Sequence, residues 1–282
     1  MHILPGRPVG KPDQMSPIRA AVPKVLLTLL YGVPLLWIVL TSLKPSSLVF
    51  DRGSMFVFTP TLDAYTNALN SELFTALRQS ILIAAGTTAV VLLIAVPAAY
   101  GLARTRGPLV AVLLGSLIVL QMLPQTATVI PLFQLFGSWR MLDSLGGVIL
   151  ADAALLTPFA IILLRPFFRT VPVELEEAAA IDGTARLGTF LRIALPVARN
   201  GVATTGTIVF LLAWGEFLYA VNFFLSPGTY PLSALLAQQV SAFGIDWPGL
   251  MALAVLTAIP ILIVYTFSYR LLRDGLTVGA VK

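Results

Sequence analysis

A chain of 282 residues with 57% hydrophobic and 11% charged residues is too apolar for a soluble globular domain, which carries roughly 45–50% apolar and about 25% charged residues. Its formal charge of +5 is read first as membrane topology and only then as a hint of nucleic acid. The chain has no cysteine and one histidine, His2, which excludes disulfides, thiolate metal sites, cysteine nucleophiles, a zinc site and a Ser-His-Asp triad.

Residues 1–21 are rich in Pro, Gly and basic residues and are expected to form a flexible cytoplasmic tail, with Met15 a second candidate start of translation. Residues 22–42 form the first apolar span, long enough at about 1.5 Å per residue to cross a core of roughly 30 Å. Its apolar core is too long for a signal peptide and no A-x-A site follows, so an uncleaved helix is expected. A polar loop, 43–73, carries Pro45, Gly53 and Pro60. A core of five further helices fills 74–271, with spans near 74–103, 109–136, 145–164, 202–225 and 250–271, and residues 272–282 form a C-terminal tail. Pro97, Pro124, Pro131, Pro158 and Pro260 are expected to break these spans. The small residues at 84–89 and 201–207 suit close helix packing.

In this six-span reading fourteen Lys and Arg fall on one side and four, Lys44, Arg52, Arg78 and Arg140, on the other. The excess puts both termini in the cytoplasm. Residues 226–248 lack Lys and Arg, and Leu232 to Phe243 reads as a short helix near the outer membrane surface. That helix either docks an extracytoplasmic partner or caps the bundle.

The longest charged run, 170–196, then lies in the cytoplasm. Pro172 suits a first helical turn, and Glu174, Glu176 and Glu177 favour the positive end of the helix dipole. Three alanines follow, and Gly183 is the natural stop, taking a positive φ at C′. Thr184 is expected to cap a second helix, with Leu187, Phe190, Leu191 and Ala194 on one face and Pro196 at its end.

Within the spans, Asp152 and Glu216 are the acids, and a buried charge there normally faces the bundle interior or a cavity. Trp214, Gln121, Gln125 and Asn222 join them as groups that suit a polyol on a translocation path: an apolar ring face and hydrogen-bonding partners. The alternative reading of the same residues is polar contact between helices, or a position at the outer interface.

Glu177-Ala178-Ala179, three residues, Gly183, nine residues, Ile193, one residue and Leu195-Pro196 resemble the EAA loop, E-A-A-x3-G-x9-I-x-L-P, of ABC importer membrane subunits. W-x-E-F-L-Y-A at 214–220, L-x-S-L-K-P at 40–45 and the terminal G-L-T-x-G-A-V-K extend the likeness to carbohydrate permeases of the MalG type. Gly215 stands where that family usually has Asn, and Asp152 where an apolar or small residue is expected. The resemblance implies an all-α inner-membrane protein of six transmembrane helices with a MetI-like core, typical of type I ABC importers. It implies a coupling helix bearing Glu177, Ala178, Ala179, Asp182 and Gly183 against a separate ATPase, and a tail with Gly275, Gly279 and Lys282 at the ATPase dimer. The implied partners are a second, MalF-type permease, two ATPase copies, an extracytoplasmic sugar-binding protein and membrane lipid, but no nucleic acid. In maltose-type importers the sugar site of the membrane lies mainly in the partner permease.

The chain has no G-x4-G-K-[ST] run, so ATP and Mg belong to a partner and no catalytic residue or metal site is expected here. The competing hypothesis is an ion-gradient-driven transporter with Asp152 or Glu216 as the coupling carboxylate.

Overall fold

The computed structural model describes residues 17–69, 71–226, 228–241 and 244–278. Among them four helices are long and apolar enough to cross a membrane, six if each of two sharply bent pairs counts as one span. The first, α1 (Pro17–Ser42), begins inside the stretch expected to be a tail. The loop that follows folds against its end. A short helix, α2 (Asp63–Ala68), brings the Tyr65 hydroxyl to 2.7 Å from the Ser42 hydroxyl. Lys44 is buried beneath the rings of Trp37 and Phe58, 5.5 and 5.2 Å from their centres, a cation–π arrangement that covers its charge.

The bundle centres on α3 (Ser71–Arg104), which packs most extensively along α6 (Leu145–Arg169). Between them in the chain run α4 (Pro108–Gln121) and α5 (Gln125–Ser138), bent by 90°. The prolines separate into two groups. Pro124 lies at the break, where the preceding residue is steered away from the helical region. Pro97, Pro131, Pro158 and Pro260 instead lie inside continuous helices, contrary to the expected interruptions. A mid-helix proline removes one hydrogen bond, and flanking apolar residues keep the rest of the helix intact.

After the loop that follows α6, α10 (Arg199–Trp214) re-enters the bundle. The small residues work as expected. A Cβ on Gly201 would land on the Phe167 ring, one on Gly86 would reach the Ile149 side chain at 2.6 Å, and one on Gly206 would reach Leu92 at 3.0 Å. Ala84, Val91, Ala95 and Ala99 of α3 meet Leu156, Ala160, Leu164 and Phe168 of α6 in the main core, with Val209 of α10. The span expected at 202–225 is divided: α10 stops at Gly215, and a short α11 (Leu218–Phe223) follows.

The outer segment also differs from expectation. Here α12 (Leu232–Gln238) is followed by a small antiparallel hairpin, Val240–Ser241 with Gly244–Ile245. Leu232, Ala234 and Leu235 are buried, and the Leu232 amide donates to the Ser80 hydroxyl of α3 at 2.9 Å. The apolar face of α12 packs into the bundle, as the capping alternative expects. Finally α13 (Trp247–Val278) runs through the stretch expected to be a flexible tail. Gly275 is therefore helical; one glycine costs only about 1 kcal/mol, less than a long apolar helix gains. Gly279 and Lys282 lie outside the described residues.

Asp143, at φ 54°, ties two connections together. Its amide donates to the Phe223 carbonyl at 2.9 Å, and its carboxylate accepts from the Leu225 amide, the Ser226 amide (2.8 Å) and the Ser226 hydroxyl (3.1 Å). The Leu225 amide first, then that of Ser226, holds this carboxyl below its ordinary 3.8. A depressed pKa stabilises the fold above the unfolded value and loses that contribution as pH falls through the lower folded value. Acidification below 3.8 should therefore loosen the clamp, read as a change in Trp139 fluorescence in a variant keeping only that tryptophan. Asp143→Asn should abolish the acid transition, and an unchanged transition would refute the clamp.

Candidate functional site

The loop between α6 and α10 opens with α7 (Val173–Ile181), started by Pro172 in extended geometry with Glu174 and Glu176 in the first turn. Gly183 has φ 80°. The Thr184 amide donates to the Ala179 carbonyl at 2.9 Å and the Gly183 amide to Ala180 at 3.1 Å, a Schellman ending. A β-carbon on Gly183 would meet nothing within 4 Å, so its backbone angle and not crowding selects glycine.

The next helix departs from expectation at both ends. It begins with α8 (Arg186–Thr189) after Ala185, with no side-chain cap. Thr184 cannot cap it because its backbone closes the preceding turn. Phe190–Ala194 then widens into a π turn, in which the Leu195 amide donates to the Phe190 carbonyl. Pro196 does not end the helix: α9 (Leu195–Val197) continues past it before a 75° bend into α10. The wider turn places the residue that lacks an N–H where the ladder is already interrupted.

The loop has an outer and an inner face. Glu177, Ala178, Asp182 and Gly183 are exposed, as are Leu175, Leu187, Leu191 and Ile181 (87%), while Ala179 is buried. Glu176 is the inward acid. Its Oε1 accepts from Arg104 Nη2 (2.6 Å) and Nε (2.9 Å), and its Oε2 accepts from the Tyr100 hydroxyl (2.9 Å). Arg104 also donates to the Phe168 carbonyl at 2.9 Å and the Val171 carbonyl at 3.0 Å. This is the only ion pair among the described residues. Beside it opens a cavity of about 550 Å³ lined in part by Glu177, Thr184 and Arg186. In the sequence Arg104 counts only as one topology charge. The signal for more is Tyr100 and Arg104, four residues apart, on one face at the end of a span.

Several polar residues of the spans lie near one another: Asp152 is close enough to Glu216 and Tyr219 to interact with them electrostatically, and the Tyr219 and Thr128 hydroxyls share a hydrogen bond of 2.6 Å. Gln125 Nε2 donates to Glu216 at 2.8 Å, and Glu216 also accepts from the Tyr219 and Ala220 amides at 2.7 and 3.1 Å, capping α11. Gln121 donates to the Leu155 carbonyl at 2.8 Å and lines a mostly apolar cavity of about 320 Å³ with Thr128 and Tyr219. Asn222 bonds its own helix at Leu218. Trp214 is buried beside Phe210, and its indole nitrogen has no partner. Asp152 is fully buried, and neither carboxyl oxygen has a hydrogen-bond partner.

The long apolar helices and the two bent pairs are those of a membrane-spanning protein. The chain belongs to the family of binding-protein-dependent transport system inner membrane components, whose model matches residues 16–278. It is 33% identical over 251 residues to the sulfoquinovosyl glycerol transport system permease protein SmoH of Agrobacterium fabrum, covering 88% of each chain. It is also 33% identical over 274 residues to the trehalose transport system permease protein SugB of Mycobacterium tuberculosis, covering 95% of this chain and all of that one. Its fold matches a chain of a bacterial ABC transporter that imports alginate, with TM-score 0.76 at 22% identity over 93% of this chain and 99% of that one. A chain of the MetNI methionine ABC transporter matches with TM-score 0.60 at 15% identity over 73% and 99%. The fold is thus the MetI-like fold of an ABC importer permease. The ion-gradient alternative has no support: the family is binding-protein-dependent, and Glu216 is engaged in capping a helix.

Glu216→Ala should uncap α11 and leave Gln125 unpaired, costing about 1–2 kcal/mol. Thermal unfolding of the detergent-solubilised chain checks this, and an unchanged midpoint would contradict the capping role.

Proposed function

We propose that this chain is one permease half of a carbohydrate importer driven by ATP on separate subunits. The observation that carries the reading is α7, with Glu177, Ala178 and Asp182 exposed and a rigid Schellman elbow at Gly183. The charge asymmetry of the loops puts this surface, and both termini, in the cytoplasm. An acid-bearing surface there, with Ile181 and Leu187 exposed, suits docking into a groove that offers a basic residue and an apolar wall. The partners are then two ATPase copies carrying ATP and Mg, a second related permease, and an extracytoplasmic sugar-binding protein. The segment with Gly275, Gly279 and Lys282 reaches the ATPase dimer.

Carbohydrate is the favoured cargo because relatives spanning nearly the whole chain are permeases named for trehalose and sulfoquinovosyl glycerol transport. On this reading the Gln125–Glu216 pair and Gln121 front the path, while Trp214, Asp152 and Asn222 shape the helices behind it. ATP closes the ATPase dimer, the docked loops move together, and the bundle alternates its opening.

Gly183→Asp and Glu177→Lys test this in vesicles carrying the assembled transporter. Both variants should insert normally, yet uptake of the sugar held by the binding protein should fall more than about tenfold, with the ATPase either lost or hydrolysing without import. Labelled trehalose is the first probe. Full ATP-driven uptake by both variants with the ATPase still bound would overturn the assignment.

A further inference from the structure

We propose that Arg104 is a positioning residue that fastens α7 to the ends of α3 and α6, so that a force on the coupling surface moves these three elements as one body. The inference rests on the coupling reading of α7 and adds the route by which its motion enters the bundle.

Three features carry it. First, the groups that meet at Arg104 come from three elements. Arg104 lies in the last turn of α3. The Phe168 and Val171 carbonyls lie at and just beyond the end of α6, where orphan acceptors carry the negative end of a helix dipole. Glu176 lies in the first turn of α7, at a positive end. One guanidinium therefore neutralises the end of one helix and holds the start of the next. Second, its partners use the fork of the side chain. Nε and Nη2 converge on one carboxylate oxygen while Nη1 and Nη2 reach two carbonyls. A lysine ammonium is a point donor on a flexible stem and cannot reproduce that plane. Third, the joint is shielded and braced. The Arg104 and Glu176 side chains are 18% and 12% exposed. Tyr100 holds the second oxygen of Glu176, and its ring packs on Phe168 at 5.7 Å and Phe190 at 4.9 Å.

The other side of the loop is built differently. Beyond Phe190 come the π turn, the exposed Leu191 and Val197 and the 75° bend into α10, with no ion pair among the described residues. The loop is thus clamped by charge toward α3 and α6 and held by packing alone toward α10, with Ala194 and Ala198 buried in the main core. Glu177, one residue from Glu176, stays free to meet a partner because its neighbour faces inward.

Hydrogen exchange on the purified full-length chain in lipid nanodiscs tests the joint without any partner. Arg104→Gln should speed exchange of the 173–181 amides about tenfold or more, as expected for the loss of charge-assisted bonds, while α1 and α13 keep wild-type rates. Arg104→Lys should fail to restore protection. Glu176→Gln, which keeps the shape and removes only charge, should give a partial effect that is not additive with Arg104→Gln. In vesicles carrying the assembled transporter, Arg104→Gln should keep the ATPase bound but import several-fold less solute per ATP hydrolysed. Unchanged exchange at 173–181, or full protection in Arg104→Lys, would overturn the joint. Faster exchange there with an unchanged import-to-hydrolysis ratio would overturn its transmitting role while leaving the coupling assignment of α7 standing.

Discussion

The end of the bundle that carries the loop between α6 and α10 depends on one planar cation. Arg104 binds a carboxylate of α7 and two backbone carbonyls at the end of α6. Without it, the Phe168 carbonyl would keep only the local bonds from the Thr170 and Val171 amides, and among the described residues the loop that follows would have no ion pair to the membrane core. The acidic run 174–177 therefore divides its work. Glu176 faces inward and holds the loop, Glu177 faces outward, and the Schellman turn at Gly183 fixes the angle between what is held and what is presented.

Above this joint the controlling constraint is the lack of a hydrophobic drive between helices in lipid. Contact comes from small residues that allow close approach: Gly86 under Ile149, Gly201 under Phe167 and Gly206 under Leu92. Where the helices break, their polar ends are satisfied locally. Glu216 caps α11 and receives Gln125 from the start of α5, and Gln121 reaches across to α6. The breaks at 122–124 and 215–217 therefore lie where side chains stand ready to replace the lost backbone bonds.

Much of this was legible in the sequence where the determinant is local. The apolar spans, the stop at Gly183 and the small packing faces follow from residue type and spacing, and the fold class follows from the EAA pattern. What was not legible depends on distant partners. Arg104 reads as one more cytoplasmic charge until α6 and α7 are brought to it. The prolines read as breaks, yet Pro97, Pro158 and Pro260 are carried by apolar helices that gain more from continuing than they lose. Leu232 to Gln238 has the amphipathic look of a surface helix, and only the packing against α3 shows that its apolar face is internal. Pro196 looks like a terminator because a π turn one residue earlier leaves no mark in composition. Nothing in the structure explains the wholly buried Asp152.

On the reading proposed above, the exposed face of α7 is the surface that meets the ATPase. The natural chain has no cysteine, so a single Ala178→Cys gives an unambiguous probe. In the assembled transporter, a short bifunctional maleimide should link this cysteine to the ATPase, with a yield that changes when ATP is added. A cysteine in the outer loop, such as Leu225→Cys, should give no such product. Efficient linking to the ATPase from elsewhere in the chain, with none from position 178 in either nucleotide state, would contradict the account.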